Sequence, residues 1–296
     1  MGRAPASFIA RPDSVLDMAR HPRRRDTAPL QRLQRIVVEK PWGRVDIPEE
    51  FGDFDGRRIG EIWFAHPDGD AAPLMVKFLF TSERLSIQVH PGETAARVAG
   101  LPRGKDECWL VLAADARAEL GAGVLIDTDP HTLRDAARSG AIVDMIDWRA
   151  AALNDFVYNP AGTIHAIGAG LTIVEVQQNV DCTYRLYDYG RPRELHLDEG
   201  LKVANPAPVH DSRDASIDPR ANRMLVSGPH FHLAHLAAPV DPAILAQAQG
   251  ELTFVPLSAG CRVAGEAVAL GEAVLLDDPS TIEIDAGGRA LLTWPA

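Results

Sequence analysis

From Ile36 onward the chain runs in short apolar or β-branched stretches, each cut off by Gly, Pro or Asp, a pattern that predicts strands. Residues 59–65, 74–80, 85–89, 107–112 and 171–177 each read as one strand. Helical spacing is confined to three places. Residues 93–101 form a short candidate, and 130–148 carries Leu133, Ala136, Ala137 and the apolar run 142–146 at helix-face intervals; 197–204 is the third. Residues 205–222 are polar, with prolines and mixed Asp and Arg, and predict a linker. Beyond it the pattern is strands only, over 231–236, 251–257, 261–263, 273–276, 281–284 and 290–294. Short strands at regular spacing suggest jelly-roll barrels. The expected fold is mainly β: a larger barrel over 36–204 decorated with helices, then a small β domain over 223–296.

Residues 1–35 break this pattern. They carry Arg3, Arg11, Arg20, Arg23, Arg24, Arg25, Arg32 and Arg35 against Asp13, Asp17 and Asp26, with no apolar core of a secretory signal. The acids and prolines also argue against a transit peptide, so a disordered N-terminal extension is expected. The whole chain has a formal charge of -11, which argues against a nucleic-acid partner. It leaves room for a phosphorylated small molecule, which needs only a few local cations. No apolar run approaches the length of a membrane span, so no membrane partner is expected. Cys108, Cys182 and Cys261 are scattered and show no CxxC spacing; a reducing cytoplasm is the expected compartment.

The chemistry is concentrated in three pieces. In Ser86-Ile87-Gln88-Val89-His90-Pro91, residues two apart share a strand face, so Gln88 and His90 look into one space as potential metal ligands or as a hydrogen-bonded core pair. In Gly104-Lys105-Asp106-Glu107-Cys108-Trp109, Glu107 shares a face with Trp109 and Val111. A carboxylate at the rim of an apolar interior either binds a metal or pairs with Lys105 at the surface. In Asn159-Pro160-Ala161-Gly162-Thr163-Ile164-His165, a tight turn delivers His165 inward.

The last piece resembles the second cupin motif, in which a P-x-G-x-x-H segment supplies a metal-binding histidine. The first cupin motif normally has H-x-H followed closely by glutamate. Here Gln88 stands for the first histidine, and residues 91–106 separate His90 from Glu107. Those departures match type I phosphomannose isomerases: Gln-x-His-Pro, then Gly-Lys-x-Glu-x-Trp, then Gly-Thr-x-His-Ala. The resemblance continues in Lys40-Pro41-Trp42-Gly43, Gly60-Glu61-Ile62-Trp63, Val76-Lys77-Phe78-Leu79, Glu175-Val176-Gln177-Gln178-Asn179 and the stretch Asp181-Cys182-Thr183-Tyr184-Arg185 through Arg191. In order and spacing it spans 36–204, and jointly the pieces are far more specific than any one alone.

The resemblance implies two cupin-like jelly-roll barrels and a zinc-dependent aldose–ketose isomerase acting on mannose 6-phosphate and fructose 6-phosphate. It implies one Zn²⁺ held by Gln88, His90, Glu107 and His165, a donor set that also suits neighbouring divalent metals. It places Arg185 as a catalytic cation beside the developing oxyanion, with Asp181 and Lys105 as proton-transfer candidates. It puts Lys77, Ser86 and Lys105 at the substrate phosphate. An Arg185–Asp181 salt bridge and a solvated Lys77 are the plain structural alternatives. Glu175, Gln177 and Asn179 share a strand face that lines either the sugar cavity or solvent. His230, His232 and His235 lack an acid or cysteine at ligand spacing, so no second metal is expected. Competing readings are a cupin dioxygenase, which would want a histidine at position 88, and a non-enzymatic sugar-binding regulator. The expected assembly is a monomer or homodimer.

Overall fold

The structure, a computed structural model, describes residues 30–296. It is a stack of sheets with helices on one side. A five-stranded sheet runs in the order Tyr184–Tyr187, Ile87–Val89, His165–Ile167, Glu119–Val124, Ile146–Ala150. Behind it lies a seven-stranded sheet whose central strands are Asp155–Asn159, Glu107–Ala114, Leu171–Gln178, Leu74–Thr81 and Ile59–Ala65, with Gln34–Arg44 at one edge. The C-terminal part adds a six-stranded sheet and a three-stranded one.

Burial explains why the middle strands break simple alternation. Leu171–Gln178 is buried at every position because its sheet is covered on both faces. One face sends Phe78, Phe80, Leu110, Val174 and Val176 against Phe231, Leu233, Val255 and Leu291 of the C-terminal part, in one continuous apolar core. The other sends Leu79, Trp109, Val111 and Ile173 against Leu85, Leu120 and Ile167 of the five-stranded sheet. The candidate site lies in this second interlayer space. The outer face of the five-stranded sheet is closed by Leu133, Ala136, Ala137 and Leu201 from the helices.

The helix expected over 130–148 is shorter. Asp129 caps Pro130–Ser139 by accepting from the His131 and Thr132 amides, and Gly140 ends it at φ 86°. A Cβ at Gly140 would meet the Tyr187 hydroxyl at 2.8 Å. After one turn at Ile142–Met145, Ile146–Ala150 is a strand paired with Glu119–Val124, because tertiary pairing overrides the helical period of the apolar run. The other two helices form close to expectation, as Glu93–Val98 and Leu197–Val203.

The expected extension over 1–35 lies outside the described residues except at its end. There Gln31–Arg32 pairs with Val274–Leu276 of the C-terminal sheet, and Gln34–Arg44 has already joined the seven-stranded sheet. Order therefore begins before position 36: Arg32 is held by Glu272 at 2.7 Å, and Leu33 enters the apolar core. The polar stretch 205–222 is likewise not a free tether. Ala215–Ser216 pairs with Asp155–Asn159, and the Arg213 guanidinium lies 3.3 Å over the Tyr158 ring. No helix among the described residues is long and apolar enough to cross a membrane.

Candidate metal centre

Strand register assembles the site. Gln88 lies directly opposite His165 on one side and Arg185 on the other, so the three side chains emerge on one face of the five-stranded sheet. Glu107 comes from the facing sheet, where it pairs with Gln177 and Asn159. His90 follows at the end of Ile87–Val89, turned in by Pro91. His90, Glu107 and His165 are all buried and their ligand atoms lie within 4.8 Å of one another.

The hydrogen bonds orient both rings. His90 Nδ1 donates to the Cys182 carbonyl at 2.9 Å, and His165 Nδ1 donates to the Thr163 carbonyl at 2.8 Å. Each Nε2 is left with its lone pair facing the Glu107 carboxylate, both at 3.2 Å. Glu107 Oε2 is buried and has no hydrogen-bond donor among the described residues. The donor set already attracts a cation: the Lys105 ammonium sits 3.1 Å from His90 Nε2 and 3.3 Å from Glu107 Oε2. Two imidazole lone pairs and a buried carboxylate are a ligand set for a borderline divalent metal. Gln88 stands beside them, its Nε2 3.2 Å from His165 Nε2 and its Oε1 accepting from Ser86. A half-turn of that amide would exchange the two atoms and turn Oε1 toward His165.

Burial, and next the Lys105 charge, push His90 down to about 3. Burial by itself would raise the Glu107 carboxyl, but the Lys105 ammonium outweighs it and holds the group well below the usual range. A neutral imidazole and an ionised carboxylate are the protonation states a metal requires. The His90 shift has a stability consequence with a definite sign. The unfolded chain takes a proton on this ring below about pH 6.5 while the folded one refuses it until about 3, so stability is lost as pH is lowered through that window. For metal-free protein, the unfolding free energy should fall by up to about 1.4 kcal/mol per pH unit more steeply than in His90→Gln. Parallel slopes in denaturant titrations at pH 6.5 and 5 would show that His90 is not the group involved.

A polar cleft opens beside the cluster, lined by Lys40, Trp42, Glu61, Lys77, Ser86, Gln88, Lys105, Glu107, Glu175, Thr183, Arg185 and Arg193 among others. Arg185 donates from Nη1 to the Glu194 carbonyl at 2.8 Å, and its buried Nε has no partner among the described residues. Burial, then the Arg193 charge, push this guanidinium below its usual value. It forms no ion pair with Asp181, which is exposed and does not line the cleft. Lys77 does line the cleft, but its ammonium is 2.9 Å from Glu175 and 3.8 Å from Glu61, a closed pairing not visible in its own strand.

Glu175 and Gln177 are buried on the cleft side of Leu171–Gln178, so that face is not a solvent face. Burial raises the Glu175 carboxyl despite Lys77, while Trp109 Nε1 donates to it at 3.1 Å. Lys40 and Glu61 fall in the matched motifs without an assigned role, and Arg193 falls in none of them. Alternation along Ile59–Ala65 could have flagged Glu61 as the one acid in a buried strand. The three C-terminal histidines do not converge: His230 sits 3.8 Å from Glu93, His232 stacks on Trp294, and His235 Nδ1 donates to the Ala221 carbonyl.

A buried histidine–glutamate–histidine cluster between two antiparallel sheets, facing a charged cleft, defines a cupin-like β protein with a metal-type centre. Comparison with known proteins narrows this class. No family model matches the chain. Over 240 residues it is 31% identical to the mannose-6-phosphate isomerase of Streptococcus mutans, covering 67% of this chain and 76% of that one. The mannose 6-phosphate isomerase of Bacillus subtilis shares the fold with a TM-score of 0.72 at 24% identity, over 90% of this chain and 99% of that structure. A zinc-bound mannose 6-phosphate isomerase structure superposes with a TM-score of 0.65 at 14% identity, over 90% and 100% of the two chains. The chain belongs to the mannose-6-phosphate isomerase family, and it is an isomerase.

Proposed function

We propose that this chain interconverts mannose 6-phosphate and fructose 6-phosphate with one zinc ion held by Gln88, His90, Glu107 and His165. The observation that carries this reading is the convergence of two histidine Nε2 lone pairs on the buried Glu107 carboxylate inside a cation-lined cleft. When bound, the metal supplies Lewis-acid polarisation of the sugar oxygens at C1 and C2.

The chain's own residues do the rest. Moving a proton between C2 and C1 of the open sugar needs a base near neutral pH and positive charge where the enediolate oxygen forms. Lys105 and Glu175 are the cleft groups placed to carry the proton. The Glu175 carboxyl is shifted upward by burial, in the direction a general base needs. Arg185, adjacent to Gln88 across the strands, offers its buried Nε–H and remaining fork to the oxyanion. Ser86, beside Gln88, lends its hydroxyl to the substrate side of the cleft.

Purified protein loaded with Zn²⁺ is expected to form fructose 6-phosphate from mannose 6-phosphate in a coupled assay. Folded, metal-loaded protein that forms none would overturn the reading.

A further inference from the structure

Two members of the cluster belong to different layers. Glu107 lies in the seven-stranded sheet and His165 in the five-stranded one, and the chain crosses between the layers over residues 159–165. The ladder on the first side ends where Glu107 pairs with Asn159. One position further, Asp106 would face Pro160, which has no amide to donate. The spacing of Glu107 and His165 therefore depends on what holds the crossing.

Asp106 holds it. This residue is buried and does not line the cleft. Its Oδ1 accepts from the Ala161 amide at 2.9 Å, and its Oδ2 accepts from the Tyr158 hydroxyl. Burial, then the Asp106 charge, push that hydroxyl upward, so it stays a donor. The Asp106 backbone is clamped as well: its amide donates to Gln178 Oε1 at 2.9 Å, and its carbonyl accepts from the Gln178 amide at 3.0 Å. The captured Ala161 amide opens a tight turn, in which the Thr163 amide donates to the Pro160 carbonyl at 3.1 Å and Gly162 has φ 90°. From that turn the Gly162 amide donates to the His90 carbonyl at 2.9 Å, and the Thr163 carbonyl takes the His165 Nδ1–H. One turn thus reaches both histidines, and the Asp106 carboxylate pins it to the strand of Glu107. A buried carboxylate with no ion pair among the described residues is costly unless such donors meet it.

Resting on the metal-centre reading above, we infer that Asp106 is a positioning residue. By holding the Ala161 amide it sets the spacing of His165 from Glu107, and with it the metal affinity of the cluster. Its carboxylate makes no hydrogen bond to a cluster side chain and acts through the main chain.

The test measures the zinc dissociation constant by competition with a chromophoric chelator in the parent, Asp106→Ala and Asp106→Asn, with the melting temperature of each metal-free protein. Asp106→Ala is expected to weaken zinc binding by about 10- to 100-fold, the usual effect of removing a partner that orients metal ligands. Asp106→Asn keeps Oδ1 for the Ala161 amide and offers Nδ2 to the Tyr158 oxygen, so its zinc affinity should stay close to the parent's. A merely structural Asp106 gives the opposite split: Asp106→Ala melts lower without metal yet binds zinc as the parent does, which overturns the inference. Equal weakening in Asp106→Asn overturns it too, because the hydrogen-bond geometry is then not what counts. If Asp106→Ala does not fold, Ala161→Pro takes its place, since proline suits the first central position of this turn and removes the captured amide. Parent-like zinc binding in that variant overturns the inference, and weakened binding sustains it. If the parent binds no zinc, the metal-centre reading fails instead. Hydrogen exchange over residues 159–167 of metal-free protein then decides: faster exchange in Asp106→Ala but not in Asp106→Asn sustains the positioning role, and equal exchange overturns it.

Discussion

Chelation is expected to abolish isomerisation and added Zn²⁺ to restore it, the largest effect expected for the protein. His90, Glu107 and His165 are buried, and the protein itself orients the rings: the Cys182 and Thr163 carbonyls hold both Nδ1–H groups and turn both Nε2 atoms to Glu107. Removing one ligand should therefore lower occupancy without rebuilding the pocket. His165→Ala should lose stoichiometric zinc by metal analysis, and kcat/KM should drop by about 10³ or more if Lewis-acid polarisation contributes several kcal/mol. His232→Ala is the control, since that ring stacks on Trp294 and takes no part in the cluster. Full turnover in metal-free enzyme, or equal zinc loss in both variants, would remove the centre from the mechanism.

The second large effect concerns Arg185→Lys. The substitution keeps a positive charge but loses the fork, including the buried Nε–H that has no partner among the described residues. If that donor meets the developing oxyanion, kcat should fall by about 10²–10³, the usual cost of losing one preorganised donor. Stability should change little, because among the described residues Arg185 forms no ion pair and its fork donates only to the Glu194 carbonyl. Thermal unfolding, zinc content and kcat measured on one sample separate catalysis from scaffolding. A folded, zinc-loaded Arg185→Lys enzyme with near-normal kcat would exclude the role.

Much of this site is legible without coordinates. Alternation along a strand aims Gln88 and His90 together, Pro160 and Gly162 mark the turn before His165, and Glu107 shares a face with Trp109 and Val111. These are local statements, with a period of two residues or a turn of four, and the sequence carries them directly. The strands that bear them form where the apolar runs stand. The run over 142–146 is the exception, because Gly140 stops the helix and pairing with Glu119–Val124 draws Ile146–Ala150 into the sheet.

Other features depended on neighbours distant along the chain. Whether Glu175 and Gln177 face water or a cleft is set by the five-stranded sheet that covers them, and their own strand reads the same either way. Lys77 reads as a free cation until Leu171–Gln178 lies beside it and supplies Glu175. Asp181 and Arg185 stand four apart and invite pairing, but the chain leaves one exposed while strand pairing with Ile87–Val89 draws the other to the cleft. Arg193 carries no periodic signal at all. It reaches the cleft because buried Asp188, itself tied through Arg191 to the Arg84 carbonyl, holds it there. Local alternation determines which side chains share a face. Only the packing of sheet on sheet decides which face is inside, and which charges meet there, because Coulomb pairing and desolvation act through space and not along the sequence.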